Sequence, residues 1–244
     1  MSFIWNEVIY RPLFNLLIFF YNTIAFRDLG IAIILLTILI KLILYPLNHK
    51  MQKHQGAMKR LQGDIKKIQE EHKSDKARQS EAMLALYKEN KVNPFSSFII
   101  LIIQLPILIA IYKVMRSGLS GTSLDLVYSF IQKPTSLNHI SFGLINLQNA
   151  NILIICLAAI FQFLQGYFSI SGPAKSDDPQ AKIQRQTTFM LPILMIFLFW
   201  KLPSGIVLYI GASSLVTLIQ QFFTNKSLKK TENILEANKE NGTI

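Results

Sequence analysis

The sequence predicts an all-α polytopic membrane protein: five transmembrane helices, a cytoplasmic αα-hairpin and an N-terminal interfacial helix. Three observations lead there. Hydrophobic residues make up 51% of the chain and charged ones only 16%, against about 25% charged in an ordinary soluble domain. The apolar residues are gathered into long runs with almost no charge inside them, the signature of bilayer-crossing helices. The cations are gathered too: 11 of the 25 Lys and Arg lie between residues 48 and 91. A net charge of +11 distributed in this way reads as membrane topology and contact with lipid or ribosome, and not as DNA binding.

The first span, Leu29–Leu47 (LGIAIILLTILIKLILYPL), organises the rest. Its 19 residues measure about 28 Å at ~1.5 Å per residue, close to the hydrocarbon thickness of about 30 Å. Thirteen Leu and Ile surround a single cation, Lys41. A lysine near mid-span costs roughly 2.5–3.5 kcal/mol on insertion scales, and the aliphatic residues, at about −0.3 to −0.6 kcal/mol each, more than offset it. Two readings of Lys41 follow. Its stem could lift the ammonium to the headgroups, or the charge could sit in a hydrated cavity within the protein. Thr37 and Tyr45, four residues to either side, and Asn48 beyond them give this helix a polar stripe.

Residues 1–28 lack a positive n-region and a cleavage site, so no secretory signal is expected. Pro12–Phe26 is short for a span and is interrupted by Asn15 and Asn22. It reads as an amphipathic helix in the interface, with a tilted extra span as the alternative. Residues 48–93 are the one long polar stretch. Met51, His54, Met58, Leu61, Ile65 and Ile68 form a helical seam, KSDK at 73–76 breaks it, and Ser74 or Asp75 can cap a second helix. That helix runs to about Asn90 and shows Met83, Leu86 and Tyr87 on one side. Together they make the hairpin, with Met58, Leu61, Met83 and Tyr87 as candidate contact residues.

Further spans follow at 95–115 and 152–170, with an extracytoplasmic loop 116–151 between them. A cytoplasmic loop 171–188 leads to a short apolar segment 189–201, a turn LPSG, a span 205–223 and a polar tail 224–244. Orientation follows from Lys and Arg: eighteen fall on one side (48–93, 171–188 and the tail) and four on the other. The positive-inside rule then puts the N-terminus outside and the C-terminus in the cytoplasm.

The long spans share an oddity. Ser97 and Gln104 lie on one face of the second; Gln162, Gln165 and Ser169 on one face of the third; Tyr209, Ser213, Thr217, Gln220 and Thr224 on one face of the fifth. Interhelical hydrogen bonding, worth about 0.6 kcal/mol per contact on average, explains any one stripe. Four stripes and an unpartnered lysine, with no Asp or Glu in any span, fit better around a common hydrated concavity. An enzyme is not expected. HExxH, GxSxG, a phosphate-binding glycine loop and an intramembrane carboxylate pair are all missing. Ser204 has no histidine in any span to activate it. The histidines lack metal spacing and Cys156 is the single cysteine, so neither metal nor cofactor is expected.

Four ordered motifs carry a family resemblance: GIAIILLTILIKLILYPL at 30–47, LYKENKVNPF at 86–95, LIIQLPILIAIY at 101–112 and LPSGIVLYIGASSLVTLIQQ at 202–221. The chain resembles the YidC/Oxa/Alb membrane protein insertases from about Tyr10 to Gln221. The resemblance implies five core spans, a cytoplasmic hairpin after the first, and a groove open to cytoplasm and lipid but closed outside. A positive residue, usually arginine, occupies the Lys41 position in that family, and Thr37, Gln104 and Tyr209 fall at or beside groove-lining positions. Lysine in place of arginine keeps the charge and loses the bidentate fork. Ile210 stands where an aromatic commonly follows Tyr209, Gly63 where proline is common, and the tail is weakly basic. The implied function is movement of nascent membrane proteins from cytoplasm into the inner or plasma membrane, with the ribosome and the Sec translocon as candidate partners. The rival class is a small-solute or anion transporter using Lys41, although no internal repeat supports it. An assembly chaperone role is compatible with the first.

Overall fold

The structure is a computed structural model that describes residues 3, 5–93, 96–117, 125–169, 190, 193, 194 and 196–240. It divides into two units. One comprises Met1–Ile43 with Leu105–Ile244, the other Leu44–Gln104.

In the first unit, a π-helical segment Trp5–Tyr10 passes directly into α1, Arg11–Thr23, with Pro12 in its first turn, where a missing N–H costs nothing. Phe14, Leu17, Ile18 and Tyr21 repeat at 3–4 spacing and are buried, and α1 packs on α2, Leu29–Ile43. Asp28 caps α2: its Oδ1 accepts from the amides of Gly30 (2.8 Å) and Ile31 (3.1 Å). Leu29, Ala32, Ile33, Leu36 and Ile40 face inward, while Ile38, Leu42 and Ile43 are exposed.

The helix ends at Ile43, four residues short of the expected Leu47. Pro46 accounts for this. It has no N–H for the Leu42 carbonyl and its ring would collide with that turn. A new helix α3, Tyr45–Arg60, begins instead, with Pro46 where proline is tolerated.

The rest of the first unit is α6, Ser96–Ser117, from Leu105 onward, a two-stranded hairpin, and the helices α7 and α8. The strands β1, Ile140–Ser141, and β2, Ile145–Asn146, pair antiparallel. Helix α7 spans Ile152–Ser169 and α8 spans Ser204–Glu240. Helices α7 and α8 pack side by side. They approach closely at Gly211, where an added Cβ would lie 3.1 Å from the Cβ of Ala158, the small-residue packing common between membrane helices. Ile154, Ile155, Ala158 and Val207 form the core there, and Ile145 of the hairpin packs against it. Among the described residues, Ser204–Thr224 is the stretch of single helix long and apolar enough to cross a bilayer, at 21 residues and mean hydropathy 1.6. Ile102–Met115 and Ile152–Phe168 are shorter apolar helices. The loop 171–188 lies outside the described residues; within the expected short span at 189–201, residues 190, 193, 194 and 196–199 are helical. The polar tail is not a separate coil: α8 continues through it to Glu240 without a break.

The second unit contains α3, α4 (Gln62–Glu71), α5 (Lys76–Glu89) and the start of α6. The expected first seam is divided, since α3 ends and α4 begins around Leu61, two residues before Gly63. Asp75 is the cap of α5, accepting from the amides of Ala77 (3.1 Å) and Arg78 (3.0 Å). Leu61, Ile65 and Val92 are the buried centre, with Met58, Met83, Leu86 and Tyr87 packed on it.

Candidate functional site: a buried lysine between polar helix faces

The last turn of α2 and the middle of α8 meet within the first unit. The inward face of α2 follows helical spacing, so the residues that continue it past Ile33 and Leu36 are Thr37, Ile40 and Lys41. Lys41 is only 7% exposed and is the one buried charged side chain among the described residues. No ion pair to it exists among those residues. Such a group is costly in a low-dielectric setting, by several kcal/mol, unless water or polar groups replace its hydration.

Polar groups are available. The facing helix α8 buries Tyr209, Ser213, Ser214, Gln220, Gln221 and Thr224, so the stripe read from the sequence is an inward face. Gln220 Nε2 donates to the Lys41 carbonyl at 2.9 Å. That carbonyl lies in the final turn of α2, where intrahelical partners run out, and the bond fixes the end of α2 against α8. Thr37 Oγ1 donates to the Ile33 carbonyl (2.6 Å) and Thr217 Oγ1 to the Ser213 carbonyl (2.8 Å). Both hydroxyls therefore spend their proton on their own helix and offer only lone pairs outward. In this face Lys41 carries the charge and the Thr37 and Thr217 oxygens offer acceptors.

The structure brings Thr37, Lys41, Tyr209, Ser213 and Thr217 onto two packed helices. Gln162 lies on α7, which packs on the same α8, and its Oε1 is buried without a donor among the described residues. Gln104 is half-buried on α6 and belongs to the Leu44–Gln104 unit. In that unit Met58, Leu61, Met83 and Tyr87 come together as the hairpin's own apolar centre. Burial there raises the Tyr87 phenol above its ordinary range. Among the described residues no group of three metal-ligating side chains occurs.

Sequence reasoning missed a second set of residues at the opposite end of α2. The Asp28 carboxylate accepts from Ser141 Oγ (2.5 Å) and from the Phe142 amide (2.6 Å) as well as capping α2. Ser204, read as a turn residue, donates through both Oγ (2.5 Å) and its amide (3.0 Å) to the Asn149 carbonyl. The Asn15 amide donates to the Leu126 carbonyl (2.9 Å) and its oxygen accepts from the Tyr128 amide (2.7 Å). Asn22 donates to the Gln132 carbonyl (2.7 Å), and Arg11 donates to Leu126 and lies over the Tyr128 ring. Loop 125–151 is thereby stitched to α1, α2 and α8. A helix-cap signal at Asp28 was legible, but its loop partners were not.

These features define a class: a helical membrane protein with one cation held on an inward polar face and the far end of its helices bound down by a loop. Comparison with known proteins is specific. Residues 19–232 match the family described as 60Kd inner membrane protein. The membrane protein insertase YidC of Rickettsia felis is 30% identical over 235 residues, covering 93% of this chain and 40% of that protein. The counterpart from Rickettsia conorii is 31% identical over 237 residues with the same coverage. A crystal structure of an active YidC insertase with its first transmembrane domain resolved superposes with a TM-score of 0.59 at 27% identity, over 88% of this chain and 45% of that one.

The chain belongs to the 60Kd inner membrane protein family, the YidC/Oxa/Alb family that its motifs resemble. It spans about 40% of the length of the relatives it matches.

Proposed function

We propose that this chain is a membrane protein insertase and chaperone, moving nascent membrane proteins from the cytoplasm into the bilayer through a hydrophilic groove around Lys41. The observation that supports it most is a buried lysine without an ion pair among the described residues, on a helix face opposed by Tyr209, Ser213 and Gln220. In this reading the chain crosses the membrane five times, with its N-terminus outside and its C-terminus in the cytoplasm. A polar, often acidic, substrate segment enters beside Lys41. The ammonium and the polar side chains of α8 replace part of its lost hydration, and Gln162 Oε1 accepts a further donor. The substrate's apolar helix then leaves sideways into lipid. Gln104 contacts substrate, and the hairpin held together by Met58, Leu61, Met83 and Tyr87 receives substrate or a ribosome or translocon partner. No observation favours the transporter alternative.

The test is insertion of an acidic-tailed substrate into vesicles reconstituted with the wild type, Lys41→Ala and Lys41→Arg. Loss in the first variant and retention in the second is expected; equal activity of all three refutes the role of the charge. Crosslinking of ribosome-bound nascent chains to a photoreactive residue at Gln104 separates an insertase from a solute carrier.

A further inference from the structure

The β1–β2 hairpin and the turn before α2 present apolar side chains that no element among the described residues covers. Phe26 is 91% exposed, Leu144 87%, Ile140 50% and Phe142 48%. The pattern is directional. Ser141, between Ile140 and Phe142, is fully buried against α2, where a Cβ on Gly30 would overlap its Oγ. Alternation along the strand turns Ile140 to the opposite face, and Phe142, in the turn that follows, is also exposed. Backbone conformation makes the choice of residues costlier still. Phe26 and Phe142 have φ of 52° and 54°, a region that bulky side chains seldom occupy and that glycine or asparagine enters readily. Aromatic rings are thus held where they are conformationally disfavoured and largely out of the protein core.

We propose that Phe26, Ile140, Phe142 and Leu144 form a lipid anchor that seats the hairpin in the headgroup–acyl boundary of the bilayer at the N-terminal end of α2. Depth selects lipid over a protein partner. The Asp28 carboxylate holds Ser141 and Phe142 at the first residue of an apolar span that begins at Leu29, so the hairpin cannot stand away from the membrane surface. Arg27, exposed between Phe26 and Asp28, offers a guanidinium to lipid phosphates beside aromatic rings at interface level. The anchor rests on the reading of α2 as a membrane span, and its test separates the two.

The full chain with Cys156→Ser is given one cysteine at Leu144, at Lys133 (exposed loop) or at Ile38 (exposed, mid-α2). Each is labelled with a nitrobenzoxadiazole dye and reconstituted into phosphatidylcholine–phosphatidylglycerol vesicles. The dye at 144 should be quenched by headgroup and 5-doxyl spin-labelled lipids about threefold or more beyond the dye at 133, with iodide giving the reverse order, as expected for an interfacial residue. Adding Phe26→Asn and Phe142→Asn, which suit the left-handed backbone, should return the 144 signal towards that at 133. If 144 behaves like 133 while 38 is quenched by 12-doxyl lipid, the anchor is overturned and the span stands. If 38 is not quenched by that lipid, the span fails and the anchor with it. A dye at 144 shielded from both lipid and iodide quenchers means a protein covers the hairpin, which also overturns the anchor.

Discussion

Replacing Asp28 with alanine should release loop 140–147 from the end of α2. The carboxylate accepts four hydrogen bonds: two from the first amides of α2, one from the Ser141 hydroxyl and one from the Phe142 amide. Loss of a cap costs about 1 kcal/mol. A hydrogen bond to a charged group contributes roughly 1.5–3 kcal/mol, and a buried donor left unpaired costs about 1–3 kcal/mol. Ser141 is fully buried, so its hydroxyl falls in that last class. These terms overlap because all four bonds share one carboxylate, and about 4 kcal/mol is a fair total for the local opening of the loop. Hydrogen exchange on peptides covering 137–150, with the protein in nanodiscs, reads that opening directly. The amides of Phe142 and Leu147 should exchange about 1,000-fold faster, since each ~1.4 kcal/mol is tenfold. Gly30→Ala should give a similar result by pushing Ser141 away from below, its Cβ lying 2.8 Å from the Ser141 Cβ and overlapping the hydroxyl. Because both changes act on one contact, the double variant should open little further than either single one. Acceleration below tenfold in Asp28→Ala, or full additivity of the pair, would refute the reasoning.

Three more outcomes are expected. Asn15→Leu removes the bonds to Leu126 and Tyr128 and should lower the stability of the α1–loop contact by about 2 kcal/mol, read by exchange of the Tyr128 amide. Asp75→Ala should cost about 1 kcal/mol of hairpin stability, visible as faster exchange over 76–80 and unchanged elsewhere. The third concerns pH. Burial pushes the His139 imidazole below its ordinary range, and its Nδ1 is buried with no hydrogen-bond partner among the described residues. A base whose folded value is depressed binds fewer protons folded than unfolded, so stability is full above the unfolded value and falls as pH drops through about 6.5. Loop protection factors, corrected for the intrinsic pH dependence of amide exchange, should fall between neutral and mildly acid pH in the wild type and lose that dependence in His139→Gln.

What the sequence revealed depended on how local the cause was. The apolar runs, the Asp75 cap and the inward stripe from Tyr209 to Thr224 follow from spacing within one helix, and the structure puts Ser213, Gln220 and Thr224 inside. The end of α2 at Ile43 was also written locally, in Pro46, but aliphatic residues running on to Leu47 masked it. The clasp of Asp28 on Ser141 joins residues 113 apart, and nothing in either neighbourhood marks the partner. The bond from Gln220 to the Lys41 carbonyl crosses 179 residues, and for the same reason a stripe residue could be seen and its partner could not. Gly30 sits in an aliphatic run and looks incidental there, yet only the absence of its side chain admits Ser141.

Helix α8 is unbroken over 37 residues, about 55 Å at ~1.5 Å each. Its polar extension is therefore a stiff rod and not a tether. A flexible strand of the same sixteen residues would let whatever docks at its tip wander independently of the bilayer. A rod fixes heading as well as reach, so a pull or twist at the Glu240 end is delivered along the axis to the turns holding Gln220 and Tyr209. Two consecutive glycines placed near residue 226 would uncouple the two ends while leaving the apolar stretch Ser204–Thr224 intact.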